Sequence, residues 1–271
     1  MNELDETNMG GSAIVFAPHP DDETLGCGGT IIKKKRMGAD VKIVFMADGS
    51  RLRELFPANE LKSIRLNEAL AASRLLGVEK SDVVFLGFED GELGKNLDSA
   101  IDRVTEILLK QQPEEIFIPY YKDKDPLLDH LATNRIVVSA LRVHGRKATI
   151  YEYPVWFWWR HWPWTSVPIH RHRQILRVMK KSLVSGLSLL RDFRCSVYIG
   201  DVLELKRAAL DQHKSQMTRL VPSSRWTTLG DISGGEFLEC FSQEHEIFHR
   251  YSLPDQSGKL KVTDARSFDG G

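Results

Sequence analysis

Apolar residues along the chain come as short unbroken runs, separated by longer stretches with helical spacing. SAIVFAP (12–18) is the first such run and ends in a proline. An apolar run without polar alternation predicts a strand buried on both faces, as in a parallel sheet. VKIVFMAD (41–48), DVVFLGFED (82–90), EEIFIPYY (114–121) and ATIYEYPV (148–155) predict four more strands. Between them, helices are predicted from Glu23 to about Met37, over ELKSIRLNEALAASRLLGV (60–78) with a stop at Gly77, over Leu97–Lys110, and from Asp129 to about Val143. Alternation of this regularity predicts an α/β fold: a Rossmann-like, doubly wound, mostly parallel sheet with helices on both faces. The loops after the strands then meet at the C-terminal edge of the sheet, where such folds bind ligands.

The second half is less regular. WFWWRHWPW (156–164) holds five of the six tryptophans and runs into a stretch, to Arg194, whose one acid is Asp192. Segment 160–194 carries eight Arg or Lys residues. A strand-like SVYIGDV (196–202) and a helix from about Leu203 to Gln216 follow. The expected organisation is a disordered tail (1–12), a single domain (13–250) with an irregular Trp-rich basic insertion (156–194), and a flexible tail (251–271).

Composition narrows the classes. Apolar residues make up 42% of the 271, enough for a sizeable core, and the net charge of zero argues against a nucleic-acid partner. The three cysteines are odd in number and widely spaced, which suits a reducing compartment better than a disulfide framework. The polar first twelve residues lack the basic and apolar regions of a signal peptide. No apolar run reaches the ~20 residues of a membrane helix. A cytoplasmic protein is expected.

The candidate chemistry lies in FAPHPDDETLGCGG (16–29), which sets three consecutive acids beside a histidine directly after a strand. Crowded carboxylates ask for a cation. His19 and Asp22 are ordinary zinc ligands, and His130, at the start of a helix after another strand, supplies a third. Asp21 is then free to act as a base, and Glu23 falls in the first turn of the helix, where the macrodipole favours an acid. Acids after a proline at a helix start also serve as N-caps, and the residues alone leave ligand and cap both open. Asp48 is read either as a partner of a metal-bound histidine or as a cap. Arg51 and Arg53 are read either as solvated or as contacts for an anionic substrate group, and Cys27 lies near a helix start, where a thiolate is favoured.

APHPDDETLGCGG resembles the signature of the LmbE/PIG-L family of zinc-dependent N-deacetylases, which act mostly on N-acetylglucosamine-type sugars. RLNEALAASRLLGV, DGEL, the Asp129–His130 pair, KRAALDQHKSQ (206–216) and ECF (239–241) resemble further family motifs in order, over roughly residues 12–245. The resemblance implies an LmbE-like fold. It implies His19, Asp22 and His130 as Zn²⁺ ligands, Asp21 as general base, Arg65 and Asp90 as contacts to sugar hydroxyls, and Cys27 as a small packing residue. A His₂Asp set also accepts Fe²⁺, Co²⁺ or Mn²⁺. Many members carry a further histidine two residues before the Asp-His pair; here that position is Leu127. His213 is the expected substitute acid.

The expected function is removal of an N-acetyl group from an N-acetylglucosamine-type sugar or glycoconjugate precursor, phosphorylated or lipid-linked forms included. The alternatives are an amidase on a larger acyl or thiol conjugate and a catalytically weak metal-containing binding module. Segment 156–194 is expected to wall the substrate entry, or to make a peripheral-membrane or homo-oligomer contact.

Overall fold

The computed structural model describes residues 2–4, 9–145, 147–161 and 191–253. Most of the Trp-rich basic insertion, and the tail from residue 254 onward, lie outside the described residues.

Each apolar run becomes a strand: β2 (Ala13–Ala17), β3 (Val41–Ala47), β4 (Val83–Phe88), β5 (Glu115–Pro119) and β6 (Ala148–Tyr153). With β1 (Asn2–Glu3), β7 (Cys195–Tyr198) and β8 (His245–Leu253) they form one sheet in the order β1-β7-β8-β6-β5-β2-β3-β4. All pairings are parallel except those of β8 with β6 and β7. The first helices are α1 (Asp22–Arg36), α2 (Ala58–Leu75), α3 (Leu97–Gln111) and α4 (Asp129–His144). After them come α5 (Trp156–His161), α6 (Leu203–Leu210), α7 (Lys214–Met217) and α8 (Glu236–Glu239).

Successive strand residues face opposite sides of the sheet, so an unalternated apolar run fills two cores at once. In β2, Ala13, Val15 and Ala17 enter a core shared with α1 and α6, while Ile14 and Phe16 enter one shared with α3 and α4. Among the described residues no helix is long and apolar enough to cross a membrane.

Three differences from the sequence reading have physical causes. Strand β8 carries polar residues that hide it, and it keeps residues 251–253 in the sheet rather than in a tail. Residues Asn2 and Glu3, expected in the disordered N-terminal tail, pair with β7. The helix expected over 203–216 is broken after α6, because the residues opening α7 turn inward to bond α1 and α2.

Helix α1 is itself broken at Cys27 (φ −150°, ψ 23°). A continuous helix would pair the Gly29 amide with the Leu25 carbonyl. Here the amide reaches Glu246 of β8 at 2.8 Å and the carbonyl reaches the Lys206 ammonium at 3.1 Å. Glu246 also accepts the Thr30 amide and hydroxyl and pairs with Lys206 at 2.8 Å, so the buried ion pair fills the break. Glycine is required on both sides of it. A Cβ at Gly26 would stand 2.2 Å from the Tyr153 ring, and one at Gly29 would stand 2.6 Å from Ile199.

Glu246→Ala would strand the Lys206 charge and two amides in the interior. The expected loss is about 3–5 kcal/mol of stability, read as a lower urea midpoint at unchanged slope.

Candidate metal centre

Strand β2 lies between β3 and β5, with the core containing α1 and α2 on one face and that containing α3 and α4 on the other. Beyond its carboxyl end opens the crevice where doubly wound sheets bind ligands. The loop from β2 brings His19, Asp21 and Asp22; the loop from β4 brings Asp90; the loop from β5 and the start of α4 bring Asp123, Asp125, Asp129 and His130.

His19, Asp22 and His130 converge so that one ligand atom of each lies within 4.8 Å of the others. Asp22 Oδ2 is 3.3 Å from His19 Nδ1 and 3.2 Å from His130 Nε2. Each ring is held through its other nitrogen by a carboxylate: His130 Nδ1 lies 2.8 Å from Asp123 Oδ2, and His19 Nε2 lies 3.2 Å from Asp129 Oδ2. A proton bonded to those acids leaves a lone pair on each nitrogen that faces Asp22. His130 Nε2 is buried and has no hydrogen-bond partner. On neutral rings, lone pairs this close to the Asp22 oxygen repel it unless a proton or a cation lies between them. Ligand atoms ~2.0–2.2 Å from a tetrahedral zinc stand about 3.3–3.6 Å apart, close to the 3.3 and 3.2 Å that separate Asp22 from the two rings. The donor set therefore fits a divalent cation, and an acid orienting each ring is the usual arrangement around such ligands.

The surrounding charges ask for the same thing. Burial works against the Asp22 anion, yet the His130 and His19 rings override it and hold its carboxyl well below the usual carboxylate range. Burial likewise works against a charged His130, but Asp22, Asp123 and Asp125 outweigh it and push the ring's pKa well up. His19 is raised in the same way, against its burial, by Asp90, Asp129 and Asp22.

Asp21 occupies the N-cap position of α1, but its side chain makes no capping bond. Its φ of 124° is strained for a non-glycine residue, at a cost of about 1–3 kcal/mol. Its carboxylate accepts no hydrogen bond among the described residues, and it lines the cavity. Burial, then the charges of Asp22 and Glu23, push its pKa well above the ordinary value. Cap and ligand are thus separated: Asp22 is the ligand candidate, and Asp21 stands at the cap position uncommitted.

The cavity beside this set has a volume of about 400 Å³. Its lining includes the polar Arg65 and Asp90 and the apolar Trp156, Leu229, Ile232 and Phe237. Arg65 is buried, its Nε has no partner among the described residues, and burial lowers its pKa against the pull of Asp90 and Asp21. A Cβ at Gly49 would stand 2.8 Å from the Arg65 side chain, so a glycine makes its room. Asp90 lies 3.4 Å from His19 and receives the Arg51 amide. Leu127 lines the cavity where related sequences were expected to place a histidine.

His213, expected as the substitute acid, does not line the cavity. It is fully buried, and its Nε2 lies 3.1 Å from Glu23 Oε1. Asp48 neither caps a helix nor orients a histidine; it accepts the Ser50 and Asp90 amides and so shapes the loop that carries Asp90. Arg51 reaches the cavity wall. Cys27 packs at the α1 break, its thiol pushed up by burial and then by the charges of Glu246 and Glu23. The sequence reading missed Asp123 and Asp129 as the acids that orient the rings. The signal was the acidic spacing of YYKDKDPLLDH, which fixes no pairing by itself.

A family model described as PIG-L, GlcNAc-PI de-N-acetylase, matches residues 14–141. The chain is 35% identical over 243 residues to a diacetylchitobiose deacetylase of Thermococcus kodakarensis, covering 83% of this chain and 80% of that one. It is 25% identical over 289 residues to a 1D-myo-inositol 2-acetamido-2-deoxy-alpha-D-glucopyranoside deacetylase of Nocardia farcinica, covering 90% of this chain and 91% of that one. Among solved structures, an inhibitor complex of the N,N'-diacetylchitobiose deacetylase from Pyrococcus horikoshii shares the fold, with a TM-score of 0.59 at 24% identity over 89% of this chain and 83% of that one.

The chain is expected to bind one divalent ion, read by titration calorimetry with Zn²⁺. Asp22→Ala should abolish that binding. Asp123→Asn, which leaves all three ligands in place, should weaken it by about 10–100-fold.

Proposed function

The chain belongs to the PIG-L (LmbE-like) family of deacetylases, and from that premise we propose that it hydrolyses the N-acetyl group of an N-acetylglucosamine-type sugar or glycoconjugate. The observation that carries the proposal is the His19–Asp22–His130 set, with Asp22 and His130 buried and His19 at the cavity, and the uncommitted Asp21 carboxylate beside it. A divalent cation held by those three residues supplies Lewis acidity, polarising the amide carbonyl and acidifying the attacking water. Zn²⁺ suits the set, and Fe²⁺, Co²⁺ and Mn²⁺ suit it as well.

The protein's own residues account for the rest. Asp21 takes the proton of the attacking water as it adds to the carbonyl carbon. Asp123 and Asp129 keep the two rings oriented. Arg65 and Asp90, in the cavity lining, hold sugar hydroxyls. Because Leu127 can neither donate nor accept a proton, Asp21 returns the proton to the nitrogen as the C–N bond breaks, and acetate and the free amine leave. The apolar lining residues Trp156, Leu229, Ile232 and Phe237 face the part of the substrate beyond the sugar.

The test is acetate release from a panel of N-acetyl sugars, free, nucleotide-linked and lipid-linked, with longer N-acyl analogues alongside. Asp21→Asn, with metal still bound, is expected to lower turnover by about 10²–10⁴-fold. Release of a longer acid but no acetate would move the reading to an amidase on larger acyl groups. No release from any member, with metal bound, would leave a binding module.

A further inference from the structure

The segment that opens α7 carries a histidine, a serine and a glutamine in the order HKSQ (213–216). None of them belongs to the metal set. His213 and Ser215 are buried and bond inward, while Gln216 lines the cavity and bonds the β2–α1 loop. Ser215 ties the segment to α2, its amide and hydroxyl reaching Glu68 at 2.8 and 2.7 Å, and Trp226 Nε1 donates to the Ser215 carbonyl at 3.0 Å. Anchored there, the segment meets one peptide of the β2–α1 loop. Gln216 Nε2 donates to the Pro20 carbonyl. The other end of that peptide unit, the Asp21 amide, donates to Glu23 Oε2 at 3.0 Å. The second oxygen of Glu23 lies 3.1 Å from His213 Nε2 and receives the Thr24 hydroxyl at 2.6 Å. Glu23 and His213 are both fully buried.

The peptide gripped at both ends is the one that enters Asp21, the residue with φ of 124°. An N-cap amide lies outside the helix ladder and normally turns to water. Here it is bonded to a buried carboxylate, which a buried histidine holds in turn. Strained backbone persists only where its surroundings over-determine it. We infer that Glu23, His213 and Gln216 are positioning residues that clamp the Pro20–Asp21 peptide and so aim the Asp21 carboxylate into the cavity. The inference rests on Asp21 acting as the base. It gives His213 a task that needs no access to substrate, and it gives the third acid of the DDE run a task distinct from those of the other two.

The metal-loaded full chain tests it. Glu23→Ala is expected to lower kcat by about 10²-fold, the penalty of a small misplacement of a reacting group. KM and bound metal should stay within about twofold of wild type, because Asp22, His19 and His130 are held by other bonds. Glu23→Gln keeps an acceptor for the Asp21 amide and should recover most of the loss. Gln216→Leu, at a partly exposed site, should lower kcat without lowering stability as a buried change would. In an Asp21→Asn background, Glu23→Ala and Gln216→Leu should reduce the residual rate no further, since they act through Asp21. A loss repeated in full in that background, or one that tracks lost metal or lost folded protein, would overturn the clamp.

Hydrogen exchange of the Asp21 amide reads the clamp without substrate. Exchange roughly tenfold or more faster in Glu23→Ala and in His213→Ala than in wild type supports it, and unchanged exchange refutes it. A wild type that releases no acid from any sugar would defeat the deacetylase reading, and the exchange result would still decide whether the peptide is clamped.

Discussion

Negative charge crowded at the carboxyl end of β2 is the constraint around which the rest of the molecule is arranged. Asp21, Asp22, Asp90 and Asp125 line the cavity, and Asp123 and Asp129 stand behind it, almost all of them buried. Two unit charges 4 Å apart are worth about 4 kcal/mol at the effective dielectric of a protein, so the acids would repel each other strongly if left alone. Arg65 is the one buried guanidinium at the wall, and it answers Asp90 and Asp21 first. The two imidazoles answer Asp22, and each is already bonded on its far side to another acid. A divalent cation between the three ligand atoms resolves the conflict. Burying a charge costs heavily unless it is paired or coordinates a metal.

Placing a cation site on a strand end requires the helix that follows to leave at a fixed angle, and α1 does so at the cost of its own continuity. The break at Cys27 lets the first turn of α1 lie under the site while the rest packs against the sheet. Its broken bonds are completed by Lys206 and Glu246, which come from the distant α6 and β8. The same C-terminal part of the chain supplies His213, Ser215 and Gln216. The last third of the described chain lines part of the cavity through Leu229, Ile232 and Phe237. It also supports the first motif from behind, at the α1 break and at the strained peptide of Asp21.

Much of this could be read from the sequence, and what could not be read shares a physical cause. The strands β2, β3, β5 and β6 were visible because a strand buried on both faces shows as an unalternated apolar run, and β4, the half-exposed edge strand, shows as one too. The ligand set was visible because His19 and Asp22 lie in one short motif and His130 pairs with a neighbouring acid. Strand β8 was invisible because HEIFHRYSL mixes polar residues with apolar ones, and its polar residues have buried work: Glu246 fills the α1 break, and His249 pairs with Glu152 at 2.9 Å. His213 was visible as a candidate acid, and in the fold it lies off the cavity lining and faces Glu23. A spacing motif says that a histidine is needed, and only the packing of α7 on α1 says which way it faces. Asp123 and Asp129 are indistinguishable in sequence from the other acids of their loop, since the pairing depends on ring orientation.

Leu127 draws these threads together. A histidine at that position would give the cavity a second proton carrier, and the aim of the first would matter less. With leucine there, His19 is the one imidazole among the described residues of the cavity wall, and it is committed on one side to Asp129 and faces Asp22 on the other. On the proposed mechanism proton traffic falls to Asp21, which must lie within reach of the water on the way in and of the nitrogen on the way out. A group with two tasks tolerates less positional error than a group with one, since effective proximity falls off steeply with displacement. A strained backbone held at both ends of one peptide is the structure such a requirement would call for. On that mechanism, the leucine at 127 and the inward turn of the HKSQ segment are two sides of one arrangement, in which chemistry is concentrated on Asp21 and its support is moved to the protein interior.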